Sequence, residues 1–439
     1  MKRALVLGAG LVAGPLVRYL LNVEGLEVTV ASRTVAKAET LIANASNGRA
    51  LALDVEDEGT LEKLIGEHDL AISLLPYTYH PLVAKFCVKH RVQMVTTSYV
   101  KDAMRALDGP ARAAGVILLN EIGVDPGIDH MSAMQVIDRI AESGGTLVSF
   151  ASNTGGLPAP DANDNPFGYK FSWAPRGVVM AGKNPAKYLK DGEVVDVPGP
   201  ELFAHHWSCE IVGFGDLEVY PNRDSMPYID SYHIPTVTSM FRGTLRYPGW
   251  CETLKAIVDL GLLDETERGN IAGLTYGQWL TRKLGSDGTD LKGDLADRLG
   301  IDVGAKPITD LEWLGLLGSD PIPAADHTDL DIVASRMLKL MEYAPGERDM
   351  LVMQHEFVAE YPGRTERTFS TMVDYGISNG DSSMSRLVGL PAAIAARMIL
   401  QGEISLTGVR VPTIPAIYEP VLGELATMGV AFTDTVEVL

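Results

Sequence analysis

Residues 1–21 read MKRALVLGAGLVAGPLVRYLL, and their reading decides the fold. Ala4 to Leu7 is a short apolar run suited to a buried strand, Gly8 to Ala13 follow at once as G-x-G-x-x-A, and Gly14 to Leu21 carry an amphipathic helical pattern. Strand, tight turn and helix in this order are the pattern of a dinucleotide-binding fold. Gly8 permits the sharp turn, and Gly10 lets the backbone approach a pyrophosphate, with Ala9, Leu11 and Val12 completing the loop. Ala13 is small enough for the helix to lie close on its strand. The anion then sits at a helix N-terminus, where unpaired N–H groups and the dipole favour negative charge. A secretory signal is the competing reading, because Lys2 and Arg3 precede an apolar stretch. No A-x-A-type cleavage site follows and Arg18 interrupts the apolar run, which favours the nucleotide.

Working outward, Glu27 to Ala31 read as a second strand with Ser32-Arg33-Thr34 at its end. A fold that holds an unmodified NAD ribose places an Asp or Glu here. This chain instead offers two hydroxyls and a guanidinium fork suited to a phosphate, so the expected cofactor is NADP(H). A third strand ends at Asp54-Val55, where residues flank the adenine, although Asp54 also suits a turn or a helix cap. Leu70 to Leu75 form a fourth strand, apolar throughout except for Ser73, which leads into Pro76-Tyr77-Thr78-Tyr79-His80. Strands Gln93 to Thr97 and Val116 to Leu119 continue the alternation, with a helix from Asp102 to Ala114 between them. The fold class is therefore α/β, a Rossmann-type doubly wound parallel sheet. Polar residues collect at successive strand ends, namely Ser98, Tyr99, Glu121 and Asp125, at the edge where open α/β sheets bind ligands. His80 and His130 adjoin these loops and are read as turn or helix-start residues.

The chain is 439 residues long, enough for two or three domains, with 46% hydrophobic and 21% charged residues as in an ordinary soluble globular protein. A formal net charge of −20 argues against nucleic acid or an anionic membrane as partner. An anionic substrate would need locally placed arginines. The three cysteines, Cys87, Cys209 and Cys251, are far apart, and neither C-x-x-C nor H-E-x-x-H occurs. Neither a disulfide framework nor a metal site is expected, and a reducing, cytoplasmic setting fits. No apolar run is read as long enough to span a membrane.

The strings ISLLPYTYH (72–80), VTTSYV (95–100), NEIGVDPGIDH (120–130) and GGLPAPDANDNPFGYKFSW (155–173) resemble the saccharopine reductase family, also called NADP-dependent, glutamate-forming saccharopine dehydrogenase. PGPEL (198–202), YPNRDS and GTLRYPGW extend the resemblance in order across most of the chain. The family joins L-glutamate to α-aminoadipate semialdehyde as an imine and reduces it to saccharopine with NADPH. The resemblance implies that Ala9 to Val12, Ser32 to Thr34, Asp54, Val55, Leu75, Thr97, Ser98 and Val124-Asp125-Pro126 contact the cofactor. It implies that Ser98, Tyr99, Asp125, Arg223 and Thr244-Leu245-Arg246 contact saccharopine, and that the protein is a homodimer. Thr154 stands where a Cys is expected in fungal members. Ala174-Pro175 replace a Ser-rich turn, so no cofactor contact is carried over there.

After Gly127 the alternation stops. Leu147 to Ser152, Glu193 to Val197, Glu210 to Val212 and Leu217 to Tyr220 read as short strands of a mixed sheet, with a Gly/Pro-rich loop over 155–168. Saccharopine carries three carboxylates, for which Arg223 and Arg246 are natural bidentate partners. Apolar positions at helical spacing run through 250–329, and Asp349 to Tyr361 with Thr365 to Tyr375 read as an antiparallel pair. The expected domains are a nucleotide domain over 1–127, completed by about 380–439 with Gly408 to Val411 as a linker between helices; a mixed α+β substrate domain over 128–249 and 330–379; and a helical insertion over 250–329. Asp125 and Tyr99 are the candidates for acid–base work. The competing functions are an NAD-linked catabolic saccharopine dehydrogenase, disfavoured by Ser32-Arg33; carboxynorspermidine dehydrogenase, which would not need two substrate arginines; and a non-catalytic NADP-sensing protein, against which Asp125 and the arginines argue.

Overall fold

The apolar run of the opening motif becomes the strand Lys2–Leu7, fully buried from Ala4 onward, at the centre of a parallel sheet. The computed structural model describes residues 1–172, 175–267, 271 and 273–439, so Trp173 and Ala174 lie outside the described residues. Two compact units result, Met1–Gly145 with Gly380–Thr433, and Thr146–Asn379 with Asp434–Leu439.

In the first unit the strands run in the order Gly408–Arg410, Ile117–Leu119, Gln93–Thr96, Leu70–Ser73, Lys2–Leu7, Leu26–Ser32, Gly48–Ala52. Every pairing among them is parallel. This is the doubly wound arrangement, and the order reverses between Lys2–Leu7 and Leu70–Ser73. Three details differ from the sequence reading. Gly408 to Val411 is no linker: Gly408–Arg410 pairs with Ile117–Leu119 and closes the sheet edge, fixed by the Val409 amide donating to Asp108 at 2.9 Å. The single helix expected over 102–114 is two, Asp102–Arg105 and Asp108–Ala114, because Pro110 suits a first helical turn and not a helix interior. The unit also continues past Gly127 through the helix Ile128–Glu142, most of whose residues are buried.

The helix Ser383–Gln401 is capped by Ser382, whose hydroxyl accepts the Ser385 amide at 3.0 Å, and ends at Gly402 with φ +81°. A Cβ on its Gly389 would lie 3.0 Å from the Val12 carbonyl oxygen, so only glycine lets this helix approach Ala13–Leu21 so closely. Its 19 residues do reach the length and mean hydropathy of a membrane span, contrary to the sequence reading. They are mostly buried inside the unit, as a core helix is.

The second unit is built on a nine-stranded mixed sheet, whose main path is Trp207–Ile211, Gly215–Pro221, Ser239–Arg246, Thr146–Pro158, Asp349–Tyr361, Arg364–Tyr375, Thr433–Val438. The hairpin Ala186–Lys190 with Glu193–Val197 joins it at Ser239–Arg246. The expected antiparallel pair is present, with Met350 opposite Tyr375 through to Tyr361 opposite Arg364. The Gly/Pro-rich segment begins as strand, since 155–158 continues the ladder, with Gly155 opposite Val352. Helices Trp250–Asp259, Tyr276–Leu284, Leu291–Leu299 and Lys306–Trp313 occupy the stretch expected to be an insertion. Their Trp250, Leu254, Trp279 and Leu311 bury in the same core as Val219, Leu245 and Met350 of the sheet.

Candidate active site

At Gly8 the chain leaves the first strand with φ +113°, a conformation that favours glycine, and a Cβ there would stand 3.2 Å from the Leu74 carbonyl oxygen. The turn sits at the point where strand order reverses, the site of ligand binding in open α/β sheets. A Cβ on Gly10 would meet nothing within 4 Å, and Leu11 is 76% exposed, so this backbone is open to a ligand. No side chain caps the first turn of Ala13–Leu21, which leaves its amides for an anion.

Ser32, Arg33 and Thr34 turn together at the end of the second strand, the Thr34 amide donating to Ser32 Oγ at 3.3 Å while Arg33 is exposed. Tyr79 donates its hydroxyl to Glu56 at 3.2 Å; that bond raises the phenol above its ordinary value while the nearby Arg33 charge pulls it down. Asp54 does make a turn, its Oδ1 accepting the Glu56 amide at 3.1 Å, and Val55 is buried. An exposed guanidinium with two hydroxyls, beside an open glycine loop and a helix N-terminus, fits NADP(H). Leu75 and Thr97 are half-buried on neighbouring loops.

The loop after Ile117–Leu119 brings the acid–base candidates together: the Tyr99 hydroxyl donates to Asp125 Oδ1 at 2.7 Å. Backbone bonds shape this loop. The Gly123 amide donates to the Pro126 oxygen and the Ile128 amide to the Gly123 oxygen, each at 2.9 Å, and Asp125–Pro126 is cis. Gly127, at φ +149°, could carry no side chain, since a Cβ would fall 2.1 Å from the Gly123 oxygen. Val124 and Pro126 are buried, and Asp125 between them is half-buried. Glu121, itself at φ +58°, accepts the Val100 amide at 2.8 Å and His130 Nε2 at 2.9 Å, and so ties the Tyr99 loop to the Asp125 loop. His130 is therefore a buried partner of Glu121, beyond the helix-start role read from sequence.

In the second unit, Arg246 ends Ser239–Arg246 and is 5% exposed. Its guanidinium carbon lies 4.8 Å from the Tyr169 ring centroid, 5.4 Å from Trp250 and 5.9 Å from Tyr220. Nη1 donates to the Leu245 oxygen at 2.7 Å, while the buried Nε has no hydrogen-bond partner among the described residues. Burial pushes the Tyr220 phenol up to about 12. Glu218 lies opposite Arg246 in the ladder and accepts the Gly249 amide at 2.9 Å and the Cys251 amide at 2.6 Å. Its carboxylate thus caps Trp250–Asp259 and fixes Trp250 over Arg246. Thr244 pairs with Thr154 across the parallel ladder, and the buried Thr154 hydroxyl has no partner among the described residues. Leu245 points into the core, so only its backbone remains for a ligand. Arg223 lies in the turn after Gly215–Pro221, exposed at φ +58°, its carbonyl accepting the Lys187 amide at 2.9 Å.

Glu218 and the aromatic cage are absent from the sequence reading; Glu121 appears in it only as one of the polar strand-end residues, and His80 starts a helix as read but is also buried among hydroxyls. A charged residue inside an otherwise apolar or strand-like stretch is the signal that marks Glu218 and Arg246. Among the described residues, no group of three or more His, Cys, Asp or Glu is placed to hold a metal ion.

The family models for the saccharopine dehydrogenase NADP binding domain and the saccharopine dehydrogenase C-terminal domain match residues 4–119 and 123–430. The chain is 42% identical to "Saccharopine dehydrogenase [NADP(+), L-glutamate-forming]" of Saccharomyces cerevisiae, over 97% of this chain and 96% of that protein. It is 40% identical to the protein of the same name from Schizosaccharomyces pombe, over 99% of each. The solved apo structure of the Saccharomyces cerevisiae enzyme superposes with a TM-score of 0.93 at 39% identity and covers 100% of both chains.

Proposed function

The chain belongs to the saccharopine dehydrogenase family, and on that premise we propose that it is an NADP(H)-dependent, glutamate-forming saccharopine dehydrogenase of lysine metabolism. It interconverts L-saccharopine with L-glutamate and L-α-aminoadipate 6-semialdehyde through an imine. The observation that carries the reading is the Tyr99–Asp125 hydrogen bond of 2.7 Å at the carboxyl edge of the parallel sheet, in the same unit as the nucleotide loop.

Ser32, Arg33 and Thr34 hold the 2′-phosphate, the Gly8–Val12 loop and the helix behind it take the pyrophosphate, and Asp54, Val55, Leu75 and Thr97 line the remaining cofactor contacts. NADPH bound there supplies the hydride that reduces the imine carbon. Tyr99 and Asp125 move the proton that the carbinolamine and imine steps require, Asp125 accepting and Tyr99 donating, with Ser98 and Val124 to Pro126 holding ligand beside them. In the second unit, Arg246 neutralises a saccharopine carboxylate from its aromatic cage; its Nε, without a partner among the described residues, supports this role. Thr244 and the Leu245 backbone flank that carboxylate, and Arg223 takes another.

We extend the proposal to a homodimer, which would sediment at twice the 47.3 kDa chain mass. A cytoplasmic setting agrees with three unpaired cysteines, two of them buried. Saccharopine with NADP⁺ provides the test: we expect NADPH and glutamate to appear together, with NAD⁺ a poorer oxidant. Absence of nucleotide reduction, or reduction without glutamate, contradicts the assignment.

A further inference from the structure

A buried imidazole links the ends of two strands in the first unit, and the mechanism above gives it no task. His80 opens the helix His80–His90 and is 3% exposed. Ser73 Oγ lies 2.9 Å from its Nδ1, while Ser98 Oγ and Thr96 Oγ1 lie 2.8 and 3.1 Å from its Nε2. Ser73 and Thr96 are the last residues of adjacent parallel strands and stand opposite each other in their register. The ring therefore spans the carboxyl edge of the sheet and reaches out to Ser98, the residue that begins the Tyr99 loop.

Burial pushes His80 down to about 4, so near neutral pH the ring carries one N–H and one acceptor nitrogen. Counting bonds assigns them. Ser73 is fully buried, and Nδ1 is the partner its hydroxyl has among the described residues. Thr96 is as buried as Ser73 and has Nε2 as its hydroxyl's partner, so either tautomer leaves one buried hydroxyl proton without an acceptor; the larger number of bonds is made when Ser73 donates to Nδ1. Nε2 then carries the ring proton, and one N–H can be shared by the Ser98 and Thr96 oxygens. The opposite tautomer makes one contact fewer, because two hydroxyl donors would face a single lone pair. Ser98 Oγ thus accepts from the ring, and its own proton is turned away from His80.

We propose that His80 is a positioning residue which, as the Nε2–H tautomer, fixes Ser98 as a hydrogen-bond donor to an oxygen acceptor of the bound ligands. That acceptor is a substrate carboxylate or the carboxamide oxygen of the nicotinamide, the two oxygen acceptors the proposed reaction brings to this edge. The inference rests on the proposed function for what Ser98 touches, but the tautomer stands on the hydrogen bonds alone.

Two conservative variants separate positioning from packing. In H80Q the amide nitrogen reaches the Nε2 position and still donates to Ser98; in H80N the amide stays near Nδ1 and keeps only Ser73. We expect H80Q to retain turnover and H80N to lose roughly tenfold, the worth of one aligned hydrogen bond. The double variant S98A/H80N should fall no further than S98A. A raised KM for glutamate identifies the carboxylate as acceptor, and a raised KM for NADPH identifies the carboxamide. The proposal is overturned if H80N costs the same in the S98A background as in the wild type, or if both variants lower the melting temperature without changing the kinetics. Imidazole ¹⁵N chemical shifts of histidine-labelled protein read the tautomer directly, and a protonated Nδ1 also overturns it. Wild-type protein that makes no saccharopine would refute the function reading while leaving this spectroscopic result intact.

Discussion

The guanidinium of Arg246 lies among the rings of Tyr169, Trp250 and Tyr220, which hold its charge without consuming its hydrogen bonds. A buried cation whose Nε has no partner among the described residues is primed for a carboxylate. Replacing Arg246 by Ala should therefore weaken saccharopine binding by about a hundredfold, the scale of losing one partner of a buried charge pair, and leave NADPH affinity nearly intact. Paired titrations decide this, and equal loss of both affinities counts against the role. His80 makes a second prediction at this scale. Its folded value of about 4 lies below the ordinary 6.5. Between those two pH values the unfolded chain binds a proton that the folded chain refuses, so stability falls as pH drops from 6.5 towards 4 and flattens below. The contribution of this one ring is about 3 kcal/mol across the window, and H80Q should lose it. Urea titrations at pH 7 and pH 4.5 on both proteins measure the difference, and an equal pH slope in H80Q refutes it.

Gly127 shows how an element is set by one residue. The loop from Gly123 turns back on itself so tightly that a Cβ at Gly127 would overlap the Gly123 backbone, and the same turn presents Asp125 to Tyr99. Gly127→Ala should cost at least about 2 kcal/mol of stability and also reduce turnover, read by chemical denaturation beside kinetics. Native stability with full activity would show that the turn does not position Asp125. The early strands were legible because Leu5, Val6, Ala71 and Ile72 are apolar on both faces of a covered parallel sheet. The strand Ser239–Arg246 was not, although it holds Thr244 and Arg246: Arg242 and Arg246 are buried where polarity usually signals solvent, so its sequence shows no alternation. Gly408–Arg410 and Thr433–Val438 escaped for another reason. Each is a short edge strand whose place is set by a distant partner, which local pattern does not encode.

For the whole molecule, two family models cover nearly the full chain, and a solved relative superposes on all of it. Nucleotide binding was readable from a single motif because the chemistry lies in consecutive residues, Gly8 to Ala13 and Ser32 to Thr34. The substrate side was not readable by pattern alone. Arg223, Arg246 and Thr244 are scattered through turns and a hidden strand, and long family-like strings were needed to single them out. The unit boundaries follow burial and not motif: Ile128–Glu142 joins the first unit because its inward residues pack there, and the helices of 250–329 bury Trp250, Tyr276 and Trp279 in the core of the second. The central claim is the identity of the amine joined to the semialdehyde. Its most direct test is NADPH oxidation with α-aminoadipate semialdehyde and a panel of amines, with the product identified by mass. The account predicts that glutamate supports turnover and yields saccharopine, while a diamine does not; turnover with the diamine and none with glutamate would contradict it.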